Sequence, residues 1–250
     1  MIVLKTSREL SIMRKAGAIS QAALKLAGEA VQPGVSTFEI DREVKRYIQS
    51  MGAKPSFLGY NGYPASTCIS VNNVVIHGIP KKDVILKKGD IVGIDVGAFY
   101  EGFHGDNAWT FPCGEISDEA QALLDATEKA LYLGIDMARP GNRVGDIGHA
   151  VQEYVEARGY SVVREFTGHG VGAKMHEDPS VPNYGTPKRG VRLTAGMVIA
   201  IEPMINQGRR DIEVLEDGWT VVTKDGSLSA HFEHTVAITP NGPVILTEPQ

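Results

Sequence analysis

Residues 91–97 (IVGIDVG) have the composition of a buried β-strand, yet they carry one carboxylate, that of Asp95. Asp106 follows eleven positions later, in a second strand-like segment. If the two segments form a hairpin with a two-residue loop, residues opposite each other have an odd separation, which places both acids on one face. Carboxylates opposite each other lie about 5 Å apart, so a proton or a cation must bind between them.

Two further apolar segments carry acids in the same way. Glu202 ends the segment 198–202 (VIAIE), and Glu233 lies within 231–236 (HFEHTV). Unpaired buried carboxylates are strongly unfavourable, and too few basic residues lie nearby in sequence to neutralise all four. A pair of divalent cations would do so, and oxygen ligands with one imidazole suit Mn, Fe, Co or a catalytic Zn. The alternative is that some of these acids lie on exposed strand faces.

The sequence repeats itself at an offset of 107 residues. Pro33-Gly34 matches Pro140-Gly141, and residues 91–95 (IVGID) match 198–202 (VIAIE), which makes Asp95 and Glu202 equivalent. Two related halves would pack about a pseudo-twofold axis, near which the equivalent acids would meet. Two similar helix–strand units with coincidental spacing remain the alternative.

Each half is predicted to begin with two helices. Thr6 and Ser36 each precede a glutamate by three residues, as in capping boxes, and the four helices are expected at 7–30, 37–52, 117–139 and 144–158. Strands are expected at 67–71, 74–77, 91–97, 104–111, 162–167, 197–201, 219–223 and 228–238, with a hairpin turn at 224–227 joining the last two. We predict an α+β fold with antiparallel sheets inside and helices outside, in a single catalytic domain 1–250 whose repeats span roughly 1–115 and 116–250.

Composition excludes several classes of protein. The 250 residues are 42% hydrophobic and 22% charged, which disfavours a disordered or collagen-like chain. A net charge of −5 argues against nucleic acid or an anionic membrane as the main partner. The longest apolar runs are far shorter than the ~18 residues that a bilayer span requires. Cys68 and Cys113 are the only cysteines, so no disulfide framework is expected and a cytoplasmic location is favoured.

Three histidines are candidates for the same site. His169 lies among glycines in residues 167–172 (TGHGVG), where small neighbours would let a ligand or metal approach; His77 and His176 lie beside glycine or acidic residues. Each of them alone is also compatible with a structural role. His231 shares strand parity with Glu233, whereas His104 is expected to be solvated. No Gly-x-Ser-x-Gly or His-Glu-x-x-His motif occurs, which disfavours a serine hydrolase or a thermolysin-like zinc site.

In combination these motifs resemble type I methionine aminopeptidases, which have the pita-bread fold of two pseudo-symmetric halves. The resemblance covers nearly the whole chain. It is carried by the segments 60–64 (YNGYP), 68–72 (CISVN), 77–80 (HGIP), 94–97 (IDVG), 105–106 (GD), 168–172 (GHGVG), 176–179 (HEDP), 201–204 (IEPM) and 233–235 (EHT). Glu202 and Glu233 are only 31 residues apart, which leaves no room for the helical insertion of the type II subfamily.

The resemblance implies two divalent metal ions (Mn, Fe, Co or Zn) and a role for each acid. Asp95 would chelate one metal, Asp106 and Glu233 would bridge both, and His169 and Glu202 would hold the other. A metal-activated bridging water would attack the first peptide bond of the substrate, and Glu202 would shuttle its proton.

The resemblance also implies substrate-binding residues. His176 would stabilise the developing oxyanion and His77 would contact the substrate amide. Six residues would line a pocket for a methionine side chain: Phe57, Tyr60, Tyr63, Cys68, Met175 and Trp219. Many relatives have Cys, Phe and Gln at the positions of Phe57, Met175 and His231. A monovalent cation near Asn72, Val74 and Ser229 is a further feature that the resemblance implies.

The expected activity is the removal of initiator methionine from nascent proteins and peptides whose second residue is small. The expected partners are nascent polypeptide N-termini, with a transient ribosome contact; the chain is expected to act as a monomer in the cytoplasm without nucleic acid or membrane. Three alternatives share the fold: an Xaa-Pro aminopeptidase or prolidase, a non-catalytic binding protein, and a metal-free hydrolase such as creatinase. The five intact candidate ligands disfavour the last two.

Overall fold

The computed structural model describes residues 1–248, so the last two residues of the predicted domain 1–250 lie outside the described residues. The helices are α1 (Ser7–Glu29), α2 (Thr37–Ser50), α3 (Asp118–Met137) and α4 (Val144–Glu156). The strands are β1 (Lys54–Pro55), β2 (Thr67–Val71), β3 (Val74–Ile76), β4 (Ile91–Tyr100), β5 (Phe103–Pro112), β6 (Ser161–Val162), β7 (Gly168–Gly170), β8 (Glu177–Val181), β9 (Val198–Ile201), β10 (Met204–Asn206), β11 (Ile212–Val214), β12 (Val221–Thr223), β13 (Ser229–His231), β14 (Glu233–Thr239) and β15 (Gly242–Ile245).

The helices begin where the sequence predicts. The Thr6 and Ser36 side chains each accept a hydrogen bond from the backbone N–H three residues later, and the glutamates at those positions close both capping boxes. Ser117 caps α3 in the same way through Ala120 N–H. These caps satisfy backbone donors that the first helical turn leaves free, so the short polar residues fix the helix starts.

The largest sheet has the strand order β1-β4-β5-β14-β9-β7-β8, with β2 also pairing β4 and β15 also pairing β14. The centre of this order is symmetric: β5 and β14 lie in the middle, and β4 and β9 flank them. Two small sheets accompany it, β13-β10-β6 and β11-β12-β3. All pairings are antiparallel among the described residues.

The internal repeat is visible in the backbone. Adding 107 to the start of α2 gives the start of α4, and the isolated bridge Ser36–Ile85 corresponds to the bridge Arg143–Arg192. Gly34 and Gly141 have φ values of 93° and 95°, so equivalent turns use the same left-handed conformation. Coincidental spacing does not account for this agreement, and the pseudo-symmetric arrangement is confirmed.

The hydrophobic core lies between the helices and the large sheet. Apolar residues of α1 and α2 pack with β4 around Ile94, while those of α3 and α4 pack with β9 and β14 around Ile199. Helix α1 lies close to β5. A Cβ atom added at Gly105 would overlap the backbone of α1 at Gly17. The helices therefore cover one face of the sheet, and the opposite face is left for the acidic side chains.

Three expectations about strands are wrong. The strand predicted at 162–167 is only Ser161–Val162; the Val163 N–H still donates to the Met204 carbonyl at 3.1 Å, and the chain bends at Glu165. The segment 228–238 is broken at Phe232, whose N–H donates to the Pro203 carbonyl, so β13 joins β10 while β14 joins the large sheet. A turn does occur at 224–227, but the strands on either side of it belong to different sheets and form no hairpin.

Candidate metal centre and active site

The β4–β5 hairpin brings Asp95 and Asp106 to one face of the sheet, as predicted. Its register pairs Asp95 with Ala108 and Gly97 with Asp106, so the two acids are diagonal neighbours and not directly opposite each other as expected. The hairpin loop does contain two residues, but the register differs from the expected one by two positions. Diagonal side chains on one face remain within reach. Asp95 faces Ala108, and Asp106 faces Gly97, over which Ser56 and Phe57 pack closely.

Glu233 completes a row of residues across three strands. Ala108 pairs with Asp95 on one side and with Glu233 on the other. Because directly paired residues share a face, the two carboxylates stand on either side of a methyl group. Glu202 follows β9 immediately, so Asp95 and Glu202 flank the central β5–β14 pair from its two sides.

His169 reaches the acids from β7. Its Nε2 lies 3.7 Å from Asp106 Oδ2 and 3.5 Å from Glu202 Oε1. Its Nδ1 lies 2.9 Å from the Gly170 carbonyl oxygen, which can only accept a hydrogen bond. In a neutral ring the hydrogen is therefore on Nδ1, and the lone pair of Nε2 is available as a metal ligand.

The glycines beside His169 serve a different purpose from the one expected. A Cβ atom at Gly168 would overlap the Ala200 carbonyl, and one at Gly170 would overlap the Asp178 carbonyl. These glycines therefore let the neighbouring backbone approach β7 closely.

The carboxylates lack the hydrogen bonds that buried acids normally have. Asp95 Oδ1, Asp106 Oδ1 and Glu233 Oε1 are buried without a partner, and no lysine or arginine in residues 1–248 forms a salt bridge with the four acids. Burial raises the pKa of Asp95 to about 7, and burial with the nearby acids raises the pKa of Asp106 and Glu233 well above the usual range. In the absence of a cation, Asp106 and Glu233 therefore favour the protonated form at neutral pH, and Asp95 is protonated for part of the time.

Glu202 differs from the other three acids. Burial alone would raise its pKa, but hydrogen bonding to His231 and the adjacent His169 lower the pKa below its usual value. His231 Nε2 lies 3.5 Å from Glu202 Oε2, so this histidine does lie beside the acids, although the break at Phe232 puts His231 and Glu233 in different strands. Glu202 is the acid of this cluster that most readily carries a charge.

The residues fit a divalent metal ion. Ligand atoms of Asp106, His169 and Glu233 all lie within 4.8 Å of one another, and all three side chains are buried. Carboxylate oxygens with one imidazole form a donor set that suits Mn, Fe, Co and catalytic Zn. The carboxylate oxygens that lack hydrogen-bond partners offer free lone pairs to such a cation.

A cavity of about 450 Å³ opens above the acids. It is lined by all five candidate metal ligands and by every predicted substrate-binding residue, namely Phe57, Tyr60, Tyr63, Cys68, His77, Met175, His176 and Trp219. The structure thus brings the predicted residues together in one place, and their individual roles remain predictions.

Two histidines stand on the walls of this cavity in neutral form. His176 Nδ1 lies 2.8 Å from the Tyr60 hydroxyl, and the two rings stack at 5.3 Å. The His77 ring contacts Phe166 and Trp219 edge-on. Burial lowers the pKa of His77 and of His176 to about 4, so both rings are uncharged at neutral pH.

Several cavity residues were not predicted from the sequence. Phe166 and Thr167 line the cavity just after the bend at Glu165, and Asn61, Ile76 and Glu165 also contribute. The aromatic residue three positions before the glycine-flanked His169 was the available signal. His104 was expected to be solvated, but it is half-buried on β5 with Nδ1 2.9 Å from Ser56 Oγ.

The residues predicted for a monovalent cation lie on neighbouring segments. Ser229 N–H donates to the Asn72 carbonyl at 3.0 Å, and Val74 begins β3 two residues after Asn72. The Ser229 hydroxyl bonds to Asn206 Oδ1 at 2.8 Å. The cation itself stays a prediction.

The acidic cluster at the base of an apolar cavity is the site of a metal-dependent hydrolase. The profile of metallopeptidase family M24 matches residues 11–240, and the chain belongs to that family. It is 56% identical over 247 residues to a methionine aminopeptidase of Clostridium perfringens, with 99% of each chain covered. It is 54% identical over 247 residues to methionine aminopeptidase 1 of Bacillus subtilis, again with 99% of each covered.

Solved structures support the same assignment of fold. The crystal structure of a methionine aminopeptidase from Thermotoga maritima superposes with a TM-score of 0.98 at 46% identity, covering all of both chains. A prolidase from Pyrococcus furiosus superposes with a TM-score of 0.82 at 26% identity, with 99% of this chain and 66% of the prolidase covered. The predicted pita-bread fold is confirmed. Within residues 1–248, no helix combines the length and apolar character needed to cross a bilayer.

Proposed function

We propose that this metallopeptidase removes the N-terminal methionine of nascent proteins and peptides whose second residue is small. The observation that carries the proposal is the convergence of Asp106, His169 and Glu233 at the base of a cavity with aromatic and sulfur-containing walls. Relatives of about the same length that bear the name methionine aminopeptidase support the choice of substrate.

We propose that the site holds two divalent ions drawn from Mn, Fe, Co or Zn. Asp95 would bind one of them, Asp106 and Glu233 would bind both, and His169 and Glu202 would bind the other. Such cations supply Lewis acidity, which acidifies a water molecule and polarises the scissile carbonyl. The orphaned oxygens of the acids favour this arrangement, because cations would replace the protons that the buried carboxylates otherwise hold.

Glu202 is the proposed proton shuttle. It accepts a proton from the attacking water as the new bond to the carbonyl carbon forms, and it delivers that proton to the amine as the peptide C–N bond breaks. Its lowered pKa keeps it ionised before the reaction, as a general base requires. The Tyr60 hydroxyl would donate to His176 Nδ1, which leaves a hydrogen on Nε2 to bond the developing oxyanion. His77 would contact the substrate amide.

The pocket accounts for the preference for methionine. Tyr63 and Trp219 form an edge-to-face pair at 5.1 Å, and Met175 and Cys68 are buried beside them. Together with Phe57 and Tyr60, these groups offer a thioether both aromatic and sulfur contacts. We further propose that the chain acts as a monomer in the cytoplasm, with nascent N-termini as substrates and a transient contact to the ribosome.

A peptide panel tests this function. The metal-loaded protein is given Met-Ala-Ser, Met-Gly-Ser, Met-Leu-Ser and Ala-Ala-Ser, and free amino acids are measured. Release of methionine from the first two peptides only is the expected result. Failure to release methionine from any of them, with metal bound, would contradict the proposal and would favour a binding protein.

A prolidase-like activity is the second candidate, because the prolidase fold superposes over nearly all of this chain. Ala-Pro and Met-Pro-Ser are added to the panel for this reason. Turnover of Ala-Pro that exceeds that of Met-Ala-Ser would favour the second candidate over the first.

A further inference from the structure

The two central strands of the sheet touch over a short distance only. β5 and β14 pair at Ala108–Glu233 and at Asn107–His234. On one side of this junction, β14 turns to pair with β15 from Val236 onward. On the other side, the chain breaks at Phe232 and β13 leaves for β10. The strands therefore separate at both ends of the junction, and backbone groups there lose their usual partners.

A threonine hydroxyl occupies the first point of separation. The Asp106 N–H donates to Thr235 Oγ1 at 3.1 Å, and that hydroxyl donates to the Asp106 carbonyl at 2.7 Å. The backbone of Thr235 is engaged elsewhere, since its N–H donates to Thr247 Oγ1 and its carbonyl accepts from the Leu246 N–H. The side chain thus makes both hydrogen bonds that a paired backbone would have made.

A second threonine performs the same task at the other end, with the strands exchanged. Thr110 Oγ1 donates to the His231 carbonyl at 2.8 Å and accepts from the His231 N–H at 3.0 Å. Thr110 and Thr235 are 2% and 0% exposed, so water cannot replace either hydroxyl easily. Thr235 belongs to β14 and clamps the backbone of β5, whereas Thr110 belongs to β5 and clamps the last residue of β13, two residues before β14 begins.

We propose that Thr110 and Thr235 are positioning residues that set the separation of β5 from β14, and through it the separation of the Asp106 and Glu233 carboxylates. A hydroxyl inserted between two backbones holds them farther apart than direct pairing would. Asp106 is itself clamped, and Glu233 follows the clamped His231 by two residues. The inference rests on the proposed function only in that these two carboxylates bind the metal.

Valine substitutions test the clamps, because valine keeps the shape of threonine and removes the hydroxyl. Thr110→Val and Thr235→Val are compared with Thr127→Val, whose buried hydroxyl donates to the Leu123 carbonyl at 2.7 Å within α3, away from the acids. Mn²⁺ is titrated calorimetrically into the full chain after metal removal, and thermal unfolding is followed in parallel. Both clamp variants are expected to bind Mn²⁺ about 10-fold or more weakly, as for other losses of groups that orient ligands.

Serine substitutions provide the rescue. Thr235→Ser and Thr110→Ser keep the hydroxyl, so Mn²⁺ affinity within about 3-fold of the unmodified chain is expected for both. Loss of affinity in the serine variants would overturn the inference even if a valine variant failed to fold. Unchanged affinity in both folded valine variants, or an equal loss in Thr127→Val, would overturn it as well. If the unmodified chain binds Mn²⁺ but cleaves no methionyl peptide, the proposed function fails while the positioning role stands.

Discussion

Asp95→Asn is expected to stabilise the metal-free protein, although it removes a predicted metal ligand. Asp95 is largely buried, and its Oδ1 has no hydrogen-bond partner. Burial raises the pKa of this carboxyl from 3.8 to about 7, despite the nearby His231. The ionised form is therefore disfavoured in the folded protein, and an amide of the same shape avoids that penalty.

The magnitude follows from the difference in pKa between the folded and unfolded states. Each unit corresponds to about 1.4 kcal/mol, so a rise of roughly three units destabilises the folded protein by at most about 4 kcal/mol above pH 7. Between about pH 4 and pH 7, the folded state binds more protons than the unfolded state, so the stability contributed by Asp95 falls as pH rises. The gain from Asp95→Asn is therefore largest at pH 8 and less than half as large at pH 5.

Urea unfolding in the presence of a chelator measures this effect at pH 8 and at pH 5. Asp41→Asn is the matched control, because Asp41 is also buried but its Oδ1 accepts from Ser66 N–H, Thr67 N–H and Thr67 Oγ1. That variant is expected to lose about 1–3 kcal/mol of stability at both pH values. A metal-free Asp95→Asn protein that is less stable than the unmodified chain at pH 8 would refute the reasoning.

Four further substitutions, with Gly93→Ala as a control, are expected to separate effects on catalysis from effects on folding. His176→Ala should lower kcat by about 10²-fold or more with metal content unchanged, as for a lost oxyanion donor; loss of metal would show that His176 has another role. Asp106→Ala and Glu233→Ala should each abolish peptide turnover while circular dichroism stays that of the folded chain, so normal turnover in either would exclude a bridging role. Gly105→Ala should lower the free energy of unfolding by about 1–3 kcal/mol, because the added Cβ would overlap the backbone of α1. A Cβ at Gly93 would have ordinary contacts at 3.5 Å, so Gly93→Ala should be nearly neutral in urea unfolding. Equal effects of the two substitutions would contradict the close approach of α1 to β5.

The helices and the internal repeat could be predicted because their signals are local. A capping serine or threonine acts on the N–H groups of the next turn, so Thr6 and Ser36 define helix starts without reference to the rest of the fold. The internal repeat can also be detected from the sequence alone, since equivalent turn glycines such as Gly34 and Gly141 occur at a constant offset. Local capping, hydrophobic and turn patterns were therefore sufficient to predict the helices and the two related halves.

Strand partners could not be predicted in this way. The turn at 224–227 has the residues of a hairpin turn, yet β12 pairs with β3 and β13 pairs with β10. A period-two pattern defines which face of a strand is apolar, but it does not define which sheet the strand joins. The break at Phe232 separates β13, which pairs with β10, from β14, which pairs with β5 and β9; these partners are distant in sequence, so no local pattern indicates the break.

The ligand candidates were found because acids are conspicuous among valine and isoleucine. Phe166 and Thr167 were missed because nothing in their own chemistry distinguishes them from strand residues, yet they line the cavity after the bend at Glu165. The two clamping threonines were invisible for a similar reason. Threonine is common in strands, and its role here depends on where two distant strands separate.

The repeat also shows how two equivalent positions acquire different chemistry. Asp95 and Glu202 occupy the same position in the two halves, yet burial raises the pKa of Asp95 while His231 and His169 lower that of Glu202. Because of its raised pKa, Asp95 already holds a proton for part of the time near neutral pH in the free protein, and it becomes a ligand once a cation replaces that proton. An acid kept ionised by imidazoles can take up a proton during the reaction and release it afterwards. Diverging environments at duplicated positions thus favour Asp95 as a ligand alone and Glu202 as the proton shuttle.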